Sequence, residues 1–161
     1  MKTGGILALI GGIISLFACF LLSFYQVGPY TYGWGTGLLL NAGYWFQAAT
    51  IYGETLIIVA IIVFIIFIFG GVLQIIGIKS RATAIIGALF SILLAVFFIL
   101  LLSGALAGWY DIAILGFTFT GPVGSAGPLP LHVGLGDFGL GVFVLLAGGV
   151  LSLIGGILPR D

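Results

Sequence analysis

Four side chains in this sequence could carry acid–base chemistry or bind a divalent cation: Glu54, Asp111, His132 and Asp137. Carboxylates and imidazole ligate divalent metals, and imidazole titrates near neutral pH. Two interpretations compete. Glu54 and Asp137 each precede an apolar run, where an acid can cap a helix N-terminus. Alternatively, the four residues form an outer acidic site in which His132 binds a cation or responds to pH. Their spacing follows no metal-ligand motif, so we predict capping and no bound metal.

Catalytic and cofactor-binding motifs are missing from the sequence. It contains no G-x-S-x-G, no Walker glycine loop and no H-E-x-x-H. His132 is the one histidine, so a single chain cannot hold a haem between two histidines. Cys19 is the one cysteine, which excludes an intrachain disulfide and predicts a small buried hydrophobic side chain. We therefore predict a chain that is not an enzyme and binds no cofactor.

The composition is that of an integral membrane protein. Of the 161 residues, 62% are hydrophobic and 5% are charged, whereas about 25% are charged in a typical soluble domain. Eight charged side chains cannot cover a soluble domain of this size, so the lipid bilayer is the expected partner. The four Lys and Arg residues are scattered, which argues against a nucleic-acid partner.

Four apolar runs are long enough to cross the membrane, which takes about 20 helical residues. They cover approximately 4–25, 55–78, 82–107 and 138–158. Because main-chain polar groups in lipid must bond internally, these runs are expected to be helices. The sequence thus predicts one domain, 1–161, that is an all-α bundle of four transmembrane helices.

The basic residues predict how the chain is oriented. Lys2 precedes the first run, Lys79 and Arg81 lie between the second and third, and Arg160 follows the fourth. All four fall on one side, which the positive-inside rule makes cytoplasmic. We expect a multi-pass protein of the plasma (cytoplasmic) membrane with both termini in the cytoplasm.

The two outer loops, about 26–54 and 108–137, are unusually apolar. TYGWG and ILGFTFTG have the composition of short strands, so the loops are expected to form a small β layer. Such apolar loops should be covered by each other, by lipid headgroups or by a partner subunit. Aromatic residues suited to the outer membrane interface are Tyr30, Tyr32, Trp34, Tyr44, Trp45, Trp109 and Tyr110.

Small residues recur at four-residue spacing in the first and fourth runs. Such residues let helix backbones approach closely. The pattern predicts that the first and fourth helices pack together, either within one chain or between protomers. The residues are Gly4, Ala8, Gly12, Gly148, Ser152 and Gly156.

Gln74 is the most polar side chain well inside a span, together with Ser15, Ser91 and Ser152. We expect an interhelical hydrogen bond there. No ionisable residue lies at the centre of a span, which argues against a proton-coupled carrier and a charged selectivity filter. A pore lined by main-chain carbonyl groups remains open as an alternative.

Two segment pairs hint at internal duplication. GGVLQIIGIKSR ends the second run and GGVLSLIGGILPR ends the fourth, while SLFACFLLSF in the first is similar to SILLAVFFILLLS in the third. A duplicated helix–loop–helix unit would give an approximate twofold axis along the membrane normal. Chance similarity within a small apolar alphabet is the alternative, since GGILALIGGII at the start of the first run also resembles the end of the fourth, although the two runs cross in opposite directions.

The layout resembles that of the claudin-type tetraspan proteins: four spans, both ends inside, and a longer first outer loop with aromatic residues. In that family the first loop carries a tryptophan, a GLW triplet and a cysteine pair. This chain has GWGTG at 33–37, which includes Trp34, and no cysteine pair. The resemblance therefore concerns the layout, and no residue role follows from it.

These patterns favour a non-catalytic membrane subunit that forms a homo-oligomer or joins other membrane subunits as an accessory or structural chain. One alternative is a small channel or transporter. Another is a subunit of a membrane enzyme that contacts a lipid or quinone near His132. The abundance of Ile and Gly suggests an archaeal or other prokaryotic source.

Overall fold

The computed structural model describes residues 3–27, 31–36, 65, 68–106, 118–120 and 131–159. Three of its helices are long and apolar enough to cross a membrane: α1, Thr3–Leu21; α3, Arg81–Leu102; and α4, Leu140–Ile157. A shorter helical segment, α2, covers 68–76. The start of the predicted second span lies outside the described residues.

The helices end where local sequence favours another structure. The first span was predicted to reach residue 25, but α1 ends at Leu21 and the chain soon enters a strand. At the start of α3, the Ser80 hydroxyl accepts a bond from the Thr83 N–H at 3.4 Å. Beyond α3, Gly104 adopts φ +80°, a left-handed conformation that glycine accommodates without strain. This third span was predicted to continue to residue 107.

The start of α4 corrects one prediction. Its N-cap is Gly139, which has no side chain to cap the helix. Asp137 lies instead in a two-residue turn with Gly136, between Leu135 and Phe138. The prediction that Asp137 caps α4 is therefore wrong. The other predicted cap, Glu54, lies outside the described residues.

A small antiparallel sheet confirms the predicted β layer. Its strands are β1, Tyr25–Val27; β2, Thr31–Gly33; β3, Thr118–Thr120; β4, Gly134–Leu135; and β5, Phe138–Gly139. The strand order is β3-β2-β1-β5-β4. Both predicted outer loops therefore contribute to one sheet. The strand that comes last in the chain, β5, leads directly into α4.

Main-chain hydrogen bonds join the sheet to the ends of α1 and α4. The Leu131 N–H donates to the Leu21 carbonyl at 2.8 Å. The Gly141 N–H donates to the Ser23 carbonyl at 3.0 Å, and the Gly139 N–H to the Phe24 carbonyl at 2.6 Å. These bonds satisfy main-chain groups that a helix end leaves without an intrahelical partner.

The core changes character along the bundle. Next to the sheet, at what we call the sheet end, large side chains fill it, and the Phe24 and Phe98 rings lie 4.9 Å apart. At the opposite end, which we call the glycine end, helix backbones touch. A Cβ on Gly4 would lie 2.7 Å from the Gly155 carbonyl oxygen, and one on Gly77 would lie 2.6 Å from the Ala84 Cα.

Candidate functional site

A buried polar cluster joins three helices around Gln74 of α2, which has no exposed surface. The Ser15 hydroxyl of α1 donates to Gln74 Oε1 at 3.1 Å. Gln74 Nε2 donates to two groups on α3, the Gly87 carbonyl at 2.9 Å and Ser91 Oγ at 2.6 Å. These bonds confirm the interhelical role predicted for Gln74.

This cluster carries no charge, and the Gln74 amide in it is fully hydrogen-bonded. Both amide N–H groups of Gln74 and its carbonyl oxygen are bonded within the bundle. Because an amide, two hydroxyls and a main-chain carbonyl carry no net charge, the cluster cannot relay a proton by changing protonation. Its evident effect is to hold α1, α2 and α3 at fixed separations, since a buried amide is costly when it is not bonded.

Gly11 lies at the centre of the line of close contact between α1 and α4, and we call such a line of helix contact a seam. A Cβ on Gly11 would lie 2.5 Å from the Gly148 carbonyl oxygen and 2.7 Å from the Ser152 nitrogen. A Cβ on Gly148 would lie 2.6 Å from Ser15 Oγ. The two helices therefore approach so closely here that neither glycine can carry a side chain without a backbone shift.

The seam between α3 and α2 has the same construction. A Cβ on Gly87 would lie 2.6 Å from the Gly70 carbonyl oxygen and 2.7 Å from the Gln74 nitrogen. A Cβ on Gly70 would lie 3.4 Å from Ser91 Oγ. Gly87 thus takes the place of Gly11, Gly70 that of Gly148, and Gln74 that of Ser152.

The remaining seams repeat as well. A Cβ on Gly71 of α2 would lie 2.8 Å from the Leu16 side chain of α1, and one on Gly149 of α4 would lie 2.8 Å from the Ile92 side chain of α3. The two helix pairs are therefore related by an approximate twofold exchange, in the register of the sequence similarity. Equivalent residues are Ala8 and Ala84, Gly11 and Gly87, Ser15 and Ser91, Leu16 and Ile92, Gly70 and Gly148, Gly71 and Gly149, Gln74 and Ser152, and Gly77 and Gly155.

The polar centre departs from this repeat. Gln74 reaches both equivalent serines, Ser15 and Ser91. Within the described residues, the hydroxyl of its counterpart Ser152 donates one bond of 3.5 Å, to the Ala84 carbonyl. The Gln74 amide therefore lies close to the approximate twofold axis and bonds to both helix pairs.

The predicted small residues face more than one helix. Gly4, Ala8, Gly148 and Ser152 lie in the seam between α1 and α4, as their spacing suggested. Gly12 faces α2 instead, where its Cβ would lie 3.0 Å from the Gly71 carbonyl oxygen.

Gly156 likewise turns away from α1. Its Cβ would lie 2.6 Å from the Ile85 side chain of α3. Sequence spacing missed Gly11 and Gly87, although the adjacent Gly11–Gly12 pair could have indicated that α1 contacts two helices.

A second polar contact lies at the sheet end, around His132. Its Nδ1 is 2.6 Å from the hydroxyl of the fully buried Ser23, and its ring centroid is 4.9 Å from that of Tyr32. Partial burial lowers the pKa of His132 below its ordinary value. Ser23 was not anticipated, because a lone serine after an apolar run carries no distinguishing pattern.

The predicted outer acidic cluster can be placed only in part. Asp137 is exposed in its turn, and Glu54 and Asp111 lie outside the described residues. Within the described ranges, no group of three or more His, Cys, Asp and Glu side chains could hold a metal ion.

Two residues of the predicted aromatic belt are described, and both contact protein. Tyr32 lies beside His132, and Trp34 is only 2% exposed, so it is buried and does not face the membrane interface. Among the residues that the structure describes, the indole N–H of Trp34 has no hydrogen-bond partner. Outside the described residues lie Tyr30, Tyr44, Trp45, Trp109 and Tyr110.

Comparisons with known proteins find nothing similar. No protein-family model matches the sequence, and neither the curated proteins nor the solved structures give a match.

Proposed function

We propose that this chain is a non-catalytic integral membrane subunit, which assembles with itself or serves as an accessory chain of a larger membrane complex. In this proposal it crosses the plasma membrane four times, with both termini in the cytoplasm. The exposed Lys79, between α2 and α3, and the exposed Arg81, the first residue of α3, lie at the glycine end and support that orientation.

The closed polar centre is the observation that carries this proposal. Gln74 is the most polar side chain in the described helices away from their ends, and its amide bonds entirely to protein. Around it, glycine contacts bring the backbones together without room for side chains. An interior of this kind favours a rigid structural element over an enzyme that must admit a substrate.

The mass of the native particle tests the proposal. The protein is extracted in a mild detergent or in nanodiscs, and native mass spectrometry identifies every chain in the particle. A defined assembly of several copies, or of this chain with other subunits, is expected. A single chain of 16.7 kDa under both extraction conditions would contradict the subunit proposal.

The repeat itself favours a second candidate, a small channel or transporter. Parallel-repeat transporters place their substrate sites near the bilayer midplane, between the repeats. Gln74, bonded to both equivalent serines, occupies that kind of position. In this case the cluster would open during transport, and Gln74→Leu would change the flux of small neutral solutes in liposomes while Ser152→Ala would not. Equal flux in liposomes with and without the protein would exclude this candidate for the solutes tested.

A further inference from the structure

An extended segment at the sheet end, residues 131–135, presents two chemically different faces. Leu131, Val133 and Leu135 point one way, and each is about half exposed, at 47%, 51% and 48%. His132 points the other way, toward Ser23 and Tyr32. This alternation is typical of a strand that has one face against the protein and an apolar face exposed.

Hydrogen bonds fix the depth of this segment. The Leu131 N–H bonds to Leu21, the last residue of α1, and the Val133 carbonyl accepts a bond of 2.9 Å from Leu140, the first residue of α4. The segment therefore lies level with the ends of two membrane-length helices. At this level the hydrocarbon gives way to the headgroup layer.

The apolar row continues the exposed apolar surface of those helices. Phe17 of α1 is 44% exposed and Phe143 of α4 is 40% exposed. The ring of Phe143 lies 5.9 Å from that of Phe138 in β5, the strand that pairs with β4. No charged residue lies between Phe138 and Phe143, so an uncharged surface runs from α4 onto the sheet as far as Asp137.

The main chain sets a limit on how deep the row can lie. Among the described strands, β4 is the last in the sheet order, so one of its edges has no described strand beside it. Open strand edges are not tolerated in hydrocarbon, whereas headgroups and their water can bond to them.

We propose that Leu131, Val133 and Leu135 insert into the boundary between headgroups and acyl chains, in the leaflet at the sheet end of the bundle. The segment is then a lipid-binding surface that fixes the height of the sheet, and Asp137 stays in water. This inference does not depend on the proposed subunit function, because it concerns lipid around a single chain.

Site-directed fluorescence tests the proposal on the full chain in liposomes. An environment-sensitive thiol label is attached to Val133→Cys and, separately, to Leu135→Cys, with Asp137→Cys as the matched control in the same turn. The native Cys19 is buried, and the unsubstituted chain measures any label it takes up. Each position is quenched by lipids brominated near the top of the acyl chain and, in a second experiment, by aqueous iodide.

Bromolipid is expected to quench positions 133 and 135 more than 137, and iodide to quench 137 more than 133 and 135. Strong iodide quenching at 133 and 135 would place the row in water and overturn the proposal. Weak quenching by both agents would mean that a second copy or another protein covers the row, which overturns it equally. Two independently labelled positions ensure that one misfolded variant does not decide the result.

Discussion

The seam between α1 and α4 and the seam between α3 and α2 consist of equivalent residues, but only the second carries an amide. Gly11 meets Gly148 in one and Gly87 meets Gly70 in the other, at nearly the same separations. Ser152 makes a marginal bond of 3.5 Å, whereas Gln74 makes three bonds between 2.6 and 3.1 Å. The repeat is therefore strict where backbones touch and relaxed where side chains meet.

This difference shows which contacts of a bundle with two equivalent halves tolerate sequence change. A glycine against a carbonyl oxygen has no tolerated replacement unless the helices move apart. A polar side chain at the centre needs only some bonding partner, and two equivalent serines already offer it. One longer side chain can consequently satisfy both halves, and its counterpart can stay small.

The largest expected effect comes from breaking both seams at equivalent points. Gly11→Val and Gly87→Val should each lower the free energy of unfolding by about 3 kcal/mol, the upper range for overpacking. The reason is that each new Cβ would meet a main-chain oxygen at 2.5 or 2.6 Å. Unfolding in mixed micelles measures both variants.

The matched controls for this pair are Ile13→Val and Leu89→Val, which alter exposed apolar side chains on α1 and α3. They should stay within about 0.5 kcal/mol of the unsubstituted protein. A large loss for Gly11→Val alone would contradict the equivalence of the two seams.

The next effect separates the seams instead of equating them. Gln74→Leu should cost about 2 kcal/mol, because it leaves Ser15 and Ser91 buried without their amide partner. Ser152→Ala removes one bond at the distance limit and should cost less than about 0.5 kcal/mol. Unfolding curves of the two variants, measured side by side, give this difference.

A triple variant sharpens the result. Adding Ser15→Ala and Ser91→Ala to Gln74→Leu should recover part of the loss, since no buried hydroxyl is then left unpaired. Further destabilisation by the two alanines would show that the serines have other partners.

A smaller and symmetric effect is expected where glycine faces a side chain. Gly71→Ala and Gly149→Ala place a Cβ 2.8 Å from the Leu16 and Ile92 side chains, which can adopt other rotamers. Each should cost about 1 kcal/mol, clearly less than the valine variants at Gly11 and Gly87. A cost equal to that of the valine variants would show that these seams are as rigid as the others.

The smallest effect concerns the sheet end, away from the equivalent helix contacts. Because the pKa of His132 is lowered in the folded protein, protonation favours states in which this side chain is released. Stability should therefore fall as pH drops through the ordinary value of about 6.5 toward the lower folded value. Melting temperatures across this range should lose part of their pH dependence in His132→Gln, while the pH dependence of Gln74→Leu should match that of the unsubstituted protein.

The sequence was sufficient to locate the membrane-length helices, because hydropathy depends on composition and not on the partner of each residue. It placed their ends less well. The first span was predicted to extend too far because hydropathy does not distinguish Tyr25 from a residue of a membrane helix. Its pairing with Gly33 places it in a strand. Phe138 was assigned to the fourth span for the same reason, although Gly136–Asp137 is a recognisable two-residue hairpin turn.

The candidate sites were predictable in proportion to their chemistry. Gln74 stands out in an apolar run, so its bonding role followed from the cost of burying an unbonded amide. Its partners did not follow, since any of the serines could have faced it. The contact between His132 and Ser23 joins residues remote in sequence, and no periodicity brings such a pair together before the sheet is known.

The turn that links the two helix pairs lies at the glycine end, and this has a consequence for how such a protein can arise and insert. The contacts of Gly5 with Ile78 and of Gly77 with Ala84 bring the start of α1, the end of α2 and the start of α3 to one end of the bundle. Gly4 also contacts Leu158, so both ends of each helix pair lie at the glycine end, and in the proposed four-span topology each pair leaves the bilayer on the side where it entered. A gene encoding one such hairpin can be fused to its own copy without reversing the orientation of either half, and no extra segment is needed to bring the second copy back across the membrane.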